Sequence, residues 1–140
     1  MTPLDREVRA AIYGLLADGS TDVGVGLVAE RGGWGVDEVA LSFSNLSREH
    51  RVVLTPASDR IWMAHPFSGV PTPYTAEIGG RSWFANCAWD ALAILALLGD
   101  GVTRGEDGLV WTVEGGVVTP DGLVHLLVPA RLFWDDIGFT

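Results

Sequence analysis

The stretch from Gly79 to Gly99 constrains the fold of this chain more than any other. It opens with a Gly-Gly pair, which is typical of a tight hairpin turn. A short strand follows at residues 81–84 and runs directly into an apolar helix that ends at Gly99. The uninterrupted apolar run covers residues 91–98, far short of the ~20 residues that a membrane span needs. We therefore expect a central buried helix that is fed by the edge of a sheet.

This stretch also contains the only cysteine of the chain, Cys87, and Asp90 follows it by three residues. That spacing places both side chains on one face of the helix. We expect Asn86 to cap the helix, so that Cys87 lies in its first turn. The helix N-terminus favours the thiolate, whereas the neighbouring carboxylate opposes a second negative charge and favours sharing of one proton. Such a pair suits a thiolate that binds an electrophile while the acid delivers a proton.

Structural roles fit the same residues. A free cysteine is among the most buried residue types, and Asp90 can simply complement the helix dipole. The histidines are His50, His65 and His125, none of them close to Cys87 in sequence, and we expect each to be structural or exposed. Their spacing does not match a metal site. Five tryptophans are expected in the core or in the wall of an apolar pocket: Trp62, Trp83, Trp89, Trp111 and Trp134.

Composition limits the class of function. The 140 residues carry a net charge of −9, and the nine basic residues, all arginines, form no basic stripe, so nucleic-acid binding is not expected. The first 18 residues lack the basic-then-apolar order of a signal peptide. We therefore predict a cytoplasmic protein without a membrane segment, in a reducing compartment that keeps the single thiol free.

Apolar residues recur at helical spacing three times in the first third of the chain, and two short strands follow. We predict helices at residues 4–17, 22–30 and 36–47, and a hairpin of strands at residues 51–54 and 60–64. Three helices followed by a hairpin is the pattern of a winged helix, whose third helix would enter the major groove of DNA. Because Asp37 and Glu38 at the start of that helix repel phosphate, a packing or lid element is favoured over a DNA-binding module.

The second half is expected to form a small sheet around the central helix. A Pro-rich connector at residues 65–73 leads to it in extended geometry. The further elements that we expect are strands at residues 74–78, 81–84, 109–113 and 122–127 and a helical turn at residues 129–136. Phe139 and Thr140 have the character of the start of one more strand.

Together these predictions describe an α+β fold. Residues 1–65 form a winged-helix-like helical subdomain. Residues 66–140 form an α+β core, a small mixed or antiparallel sheet with one central buried helix, and this core carries Cys87 and Asp90.

The central segment resembles the organomercurial (alkylmercury) lyases. Residues 84–92 read Phe-Ala-Asn-Cys-Ala-Trp-Asp-Ala-Leu, and residues 96–99 read Ala-Leu-Leu-Gly. That family carries an aromatic-Ala-x-Cys-Ala-x-Asp-x-Leu segment, followed by an Ala-Leu-hydrophobic-Gly exit. The three-helix N-terminal region and residues 124–136 are also similar to the family, more loosely.

The resemblance implies protonolysis of a carbon–mercury bond. Cys87 would hold the mercury of the substrate as a thiolate, since mercury is a soft ion. Asp90 would take part in proton transfer, and the organic group would leave as a hydrocarbon. Phe84, Asn86 and Trp89 would line the substrate pocket. The ligand would be an organomercurial or Hg(II), no cofactor would be needed, and Hg(II) would pass to cellular thiols or to mercuric reductase.

The family holds mercury with two cysteines, whereas this chain has one. The second is expected on a strand beyond residues 124–136, where the sequence ends at Thr140. Either the protein is a degenerate relative that binds mercury without cleaving it from carbon, or the missing residue follows Thr140, for example as a selenocysteine whose UGA codon is read as a stop. The alternatives to a lyase are therefore a mercury-binding protein without turnover and an acidic winged-helix regulator.

Overall fold

Within the residues that the computed structural model describes, 1–57, 59–106, 108–123, 125–126 and 128–138, the chain forms four α-helices and two antiparallel sheets. The helices are α1 (Pro3–Ala17), α2 (Val25–Gly32), α3 (Val36–Arg48) and α4 (Ala88–Leu98). The strands are β1 (Val53–Leu54), β2 (Ile61–Ala64), β3 (Phe67–Ser68), β4 (Thr75–Ile78), β5 (Arg81–Phe84), β6 (Gly101–Arg104), β7 (Val110–Glu114) and β8 (Val117–Thr119). A 3₁₀ turn at Ala130–Leu132 falls within the helical turn predicted for residues 129–136.

Helix α1 begins where its sequence predicts. The Thr2 hydroxyl accepts a hydrogen bond from the Asp5 amide at 3.1 Å, and the Asp5 carboxylate accepts one from the Thr2 amide at 2.6 Å. This reciprocal capping box, with Pro3 at the first helical position, fixes the start of the helix. The apolar face of α1 packs against α2 and α3 and comprises Val8, Ile12, Leu15 and Leu16.

Helix α2 begins three residues later than predicted, because the preceding backbone is used by the first sheet. The Val23 carbonyl accepts a hydrogen bond from the Ile61 amide at 2.9 Å. The Val25 amide donates to the Asp59 carbonyl at 3.0 Å. Asp22 has a left-handed backbone, with φ of 62°, which turns the chain before these contacts. The helix can therefore begin only at Val25.

The two sheets meet at the connector that precedes the second one. The first sheet has the order β1-β2-β3 and the second the order β5-β4-β6-β7-β8. A bridge between Phe67 and Ala85 joins them. Gly79 and Gly80 have φ of 56° and 81°, which confirms the hairpin turn between β4 and β5, because such a turn needs positive φ at both positions. The α+β fold class is confirmed.

The strand predicted at residues 122–127 is wrong. Its residues 122, 123, 125 and 126 have no regular structure, and residues 124 and 127 lie outside the described ones. The last strand is instead β8, which follows a second Gly-Gly turn at Gly115 and Gly116, with φ of 57° and 79°. Because the chain turns at Gly115 and Gly116, the last strand comes before residues 122–127, the apolar run on which the predicted strand was based. The strand expected to start at residues 139–140 also lies outside the described residues.

Helix α4 is buried on one side only, which corrects the expectation of a central buried helix. Asp90, Ala91, Ile94 and Leu95 are buried, and the helix packs on β4 and β6. Leu97 is 66% exposed. Even so, none of the helices in the described part of the chain has both the length and the apolarity that a membrane span requires.

The tryptophans also divide into buried and exposed residues. Trp83 and Trp111 are buried in agreement with the core prediction. Trp62 is half-buried. Trp89 and Trp134 are 60% and 41% exposed, so the prediction that they belong to the core is wrong. Trp89 lies in the first turn of α4, and Trp134 stacks on His50 at a ring-centroid distance of 4.1 Å instead of entering the core.

The division of the chain at residue 65 stays a prediction, as does the comparison of its first part with a winged helix. Strand β3 follows that position and pairs with β2, which precedes it. One cluster of buried hydrophobic residues contains members from both parts.

Candidate active site

The first turn of α4 places the candidate residues, with one correction to the predicted start. Cys87 is the N-cap residue, in extended backbone with φ of −155° and ψ of 178°. Its carbonyl accepts the first helical hydrogen bond, from the Ala91 amide at 3.0 Å. The prediction that Asn86 caps the helix is therefore wrong, and the thiol occupies the cap position itself.

The Asn86 side chain is engaged elsewhere, which explains why it does not cap. Its amide nitrogen donates to the Phe67 carbonyl at 3.2 Å and to the Pro66 carbonyl at 3.3 Å. It also lies 2.9 Å from Oδ2 of Asp90. Because all three partners are acceptors, the nitrogen end of the amide must face them. Asn86 therefore fastens the connector after β2 to the first turn of α4.

Asp90 is joined by a residue that sequence reasoning left out of the site. Nδ1 of His65 lies 3.0 Å from Oδ2 of Asp90. The Asp90 side chain is 12% exposed and the His65 side chain 46%. His65 therefore presents one edge of its ring to the buried carboxylate and the rest toward solvent.

His65 is 25 residues from Asp90 in sequence, so no spacing rule could pair them. Its position is set by the fold around the connector. The Tyr13 hydroxyl on α1 donates to the His65 carbonyl at 3.1 Å, and the Tyr13 ring meets the Phe67 ring edge to face at 6.4 Å. The expectation that His65 is merely structural or exposed missed this contact. The sequence around His65 shows only that it lies between a strand and a proline, and this position does not indicate a contact with Asp90.

The Cys87 thiol is half-buried. Burial raises its pKa, and the amide of Asp90 opposes that rise. The Asp90 carboxylate raises the pKa further, while the amide of Trp89 lowers it. The net direction is upward, so the resting sulfur holds its proton more firmly than an ordinary cysteine. The predicted opposition between helix dipole and carboxylate is present, but burial, which spacing cannot reveal, is the largest effect.

The remaining predicted site residues take different positions. Phe84 is half-buried and lines a cavity of about 10 Å³, about the space of one water molecule, beside Phe67 and Ser68. Trp89 exposes most of its ring at the start of α4. Their assignment as walls of a substrate pocket, with Asn86, stays a prediction. Within the described ranges, no three His, Cys, Asp or Glu side chains cluster as a metal site.

Fold and site together define an α+β protein whose candidate centre sets one thiol at a helix N-terminus, one turn from a hydrogen-bonded carboxylate. The sequence profile of the alkylmercury lyase family, MerB, matches residues 67–104, which include both groups. The chain is a relative of that family.

A solved structure agrees. The chain is similar to the crystal structure of the mercury-bound form of MerB2, with a TM-score of 0.65 and 25% sequence identity. The similarity covers 86% of this chain and 62% of that one, so this chain spans about three-fifths of its relative's length. A comparison with curated protein sequences gave no match.

Proposed function

We propose that this protein cleaves the carbon–mercury bond of organomercurials by protonolysis, with Cys87 as the mercury-binding thiolate and Asp90 as the proton donor. The observation that carries the proposal is the overlap of the family match with the first turn of α4. Support comes from the similarity to a mercury-bound structure and from the orientation of the Asp90 carboxyl by Asn86 and His65.

The raised pKa of Cys87 suggests how the proton is supplied. Until a soft electrophile arrives, the proton stays on sulfur. When the sulfur bonds to the mercury of R–Hg⁺, it releases that proton, and Asp90 on the same turn accepts it. The carboxylic acid then returns the proton to carbon. The carbon–mercury bond breaks, its electron pair forms the C–H bond of the hydrocarbon, and Hg(II) stays on the sulfur.

This reaction consumes no cofactor, because the mercury belongs to the substrate and the proton cycles between sulfur, carboxylate and carbon. The product is a thiolate-bound Hg(II), which is released by exchange with other thiols. The proposal includes three further expectations. Cellular thiols or mercuric reductase receive the Hg(II), the protein is cytoplasmic, and the reaction serves detoxification.

A second candidate is a relative that binds organomercurials without cleaving them. The specific observation in its favour is that the sequence contains one cysteine, whereas the family resemblance implies two thiolates on the mercury. One thiolate donates less electron density to mercury, which leaves the carbon less basic toward Asp90. The two candidates share the binding step and differ only in release of the hydrocarbon.

The test uses phenylmercuric acetate with four proteins. Intact mass spectrometry measures the adduct, and gas chromatography measures benzene. We expect the wild type to form one adduct and release benzene, Cys87→Ser to form no adduct, and Asp90→Ala to form the adduct without benzene. Asp37→Asn, which changes an exposed acid on α3, serves as the control and should match the wild type.

Each outcome decides between the candidates. Unchanged mercurial affinity in Cys87→Ser contradicts both. A wild-type adduct that releases no benzene selects the binding protein, and benzene release at the wild-type rate in Asp90→Ala removes Asp90 from the mechanism.

A further inference from the structure

The proposed reaction assigns its bond-making and bond-breaking steps to Cys87 and Asp90, and His65 takes part in none of them. Yet Nδ1 of His65 and Nδ2 of Asn86 converge on one oxygen of Asp90, Oδ2, at 3.0 Å and 2.9 Å. Among the described residues, Oδ1 receives no such contact. The two oxygens of the carboxyl group are therefore not equivalent, and the pattern of donors decides which of them can carry a proton.

The hydrogen-bond pattern also favours one tautomer of His65. The carbonyls of Pro66 and Phe67 hold the amide nitrogen of Asn86 toward Asp90, so Asn86 donates to Oδ2. Oδ2 of Asp90 already accepts a hydrogen bond from Asn86. It can also accept one from His65 when it carries no proton itself. Nδ1 of His65 must then carry a hydrogen and donate to it as well. The separation of 3.4 Å between Asn86 Nδ2 and His65 Nδ1 is then a contact between two donors that share one acceptor.

We propose that His65 is a positioning residue for the proton transfer by Asp90: its Nδ1–H, together with the Asn86 amide, holds Oδ2 unprotonated, so that the mobile proton is carried on Oδ1. This inference rests on the proposed function for its kinetic consequence, whereas its assignment of the His65 tautomer rests on the hydrogen-bond geometry. A fixed orientation of the acid lowers the entropic part of the barrier to proton transfer.

The backbone holds His65 in place independently of the contact between its ring and Asp90. The His65 carbonyl accepts a hydrogen bond from the Tyr13 hydroxyl at 3.1 Å. The carbonyls of the next two residues, Pro66 and Phe67, accept hydrogen bonds from the side-chain amide of Asn86. Phe67 is buried and pairs with Ala64 in the first sheet. Because the imidazole itself is 46% exposed, its removal takes little area from the core. Within the described part of the chain, the titratable groups in contact with His65 are Tyr13, through the His65 carbonyl, and Asp90, and Cys87 lies three residues before Asp90.

Two substitutions separate positioning from other roles. His65→Ala removes the donor. His65→Asn retains an N–H at the place of Nδ1 but has no second ring nitrogen that could relay a proton to solvent. His50→Asn is the matched control, because His50 lies on the surface beside Trp134 and not at Asp90.

The experiment preloads each protein with phenylmercury, confirms the adduct on Cys87 by mass spectrometry, and then follows benzene release in a single turnover. We expect adduct formation to be unchanged in all three variants. Release should slow by about tenfold or more in His65→Ala, stay within about threefold of the wild type in His65→Asn, and be unchanged in His50→Asn. Thermal unfolding verifies that the variants are folded.

An unchanged release rate in His65→Ala overturns the inference, and so does an equal loss in His65→Ala and His65→Asn, which indicates a proton relay instead. If the wild type itself binds phenylmercury without releasing benzene, the proposed function fails, and the tautomer still tests the inference. Nitrogen-15 NMR of the neutral imidazole should show the Nδ1–H form in the wild type and the ordinary Nε2–H form in Asp90→Ala. An Nε2–H tautomer in the wild type overturns the proposal whatever the activity.

Discussion

The buried carboxylate of Asp5 gives a prediction whose size follows from the structure. Asp5 is 2% exposed, and it connects the start of α1 to α3 by accepting a hydrogen bond from the side-chain amide of Asn45. Burial alone would raise its pKa, but hydrogen bonds more than compensate and lower the pKa from 3.8 to about 2. The donors are the amide and hydroxyl of Thr2, the hydroxyl of Ser42 and the amide of Asn45.

The lowered pKa means that the folded state favours the ionised carboxylate more than the unfolded chain does. At about 1.4 kcal/mol per pKa unit, the difference between 3.8 and about 2 corresponds to about 2 kcal/mol of folding free energy. Because the folded value is the lower one, this stabilisation is fully present above pH 4 and is lost as the pH falls from about 4 to about 2.

Asp5→Asn keeps the shape of the side chain and removes its charge. We expect the variant to lose about 2 kcal/mol at pH 7 relative to the wild type, and the difference to shrink as the pH approaches 2. Urea unfolding followed by tryptophan fluorescence at pH 7, 4 and 2.5 measures it. Asp37→Asn is the control, since that exposed acid in the first turn of α3 should contribute less than about 1 kcal/mol. A wild-type advantage that is equal at all three pH values would refute the assignment to ionisation.

Two further predictions concern the thiol and the close approach of β6 to β4. Because burial and the Asp90 carboxylate raise the pKa of Cys87, its alkylation by iodoacetamide should accelerate at higher pH than that of an unstructured cysteine peptide, and Asp90→Asn should move the profile toward lower pH; coincident profiles for protein and peptide would contradict this. Gly101→Ala should destabilise the fold by about 1–3 kcal/mol, because a Cβ there would lie 2.2 Å from the carbonyl oxygen of Glu77. Gly26→Ala, in open space on α2, should instead stabilise by about 0.5–1 kcal/mol, and equal effects in thermal melts would argue against the steric explanation.

Local pattern was sufficient for α1, for α3 and for the first hairpin of the second sheet. Helical spacing of apolar residues placed α1 and α3 within one residue of their observed ends. The pair Gly79-Gly80 placed β4 and β5 because its turn type is decided by the two residues themselves. These elements are dictated by neighbours in sequence, so the sequence predicts them well.

Elements whose limits depend on a partner were not predictable in the same way. The start of α2 moved because residues 23–25 contact β2. Strand β6 follows α4 after a short turn and is defined by its pairing with both β4 and β7. Strand β8 is exposed, so no burial pattern marks it. The apolar run at residues 122–127 has the composition of a strand, but its described residues 122, 123, 125 and 126 form none.

The candidate site shows the same division. Cys87 and Asp90 were found by their spacing on one helix, and the family resemblance then assigned their roles. For Asn86 the sequence predicts a cap that the structure corrects, and the resemblance implies a place in the substrate pocket that stays a prediction. Its contacts with Pro66, Phe67 and Asp90 depend on where the connector crosses α4. His65 was missed for that reason, since only the tertiary fold brings residue 65 to residue 90.

The shift of the cap from Asn86 to Cys87 bears on how the mercury test is interpreted. Cys87 is the N-cap residue but makes no side-chain capping hydrogen bond, and the nearby amides of Trp89 and Asp90 only oppose the rise in the pKa of its thiol. Serine is among the preferred residues at this position, whereas a thiol is a weak acceptor. Cys87→Ser should therefore keep or strengthen the cap, and a loss of mercury binding in that variant cannot come from a frayed helix. It would report the chemistry of the sulfur alone, which is the property on which the proposed function depends.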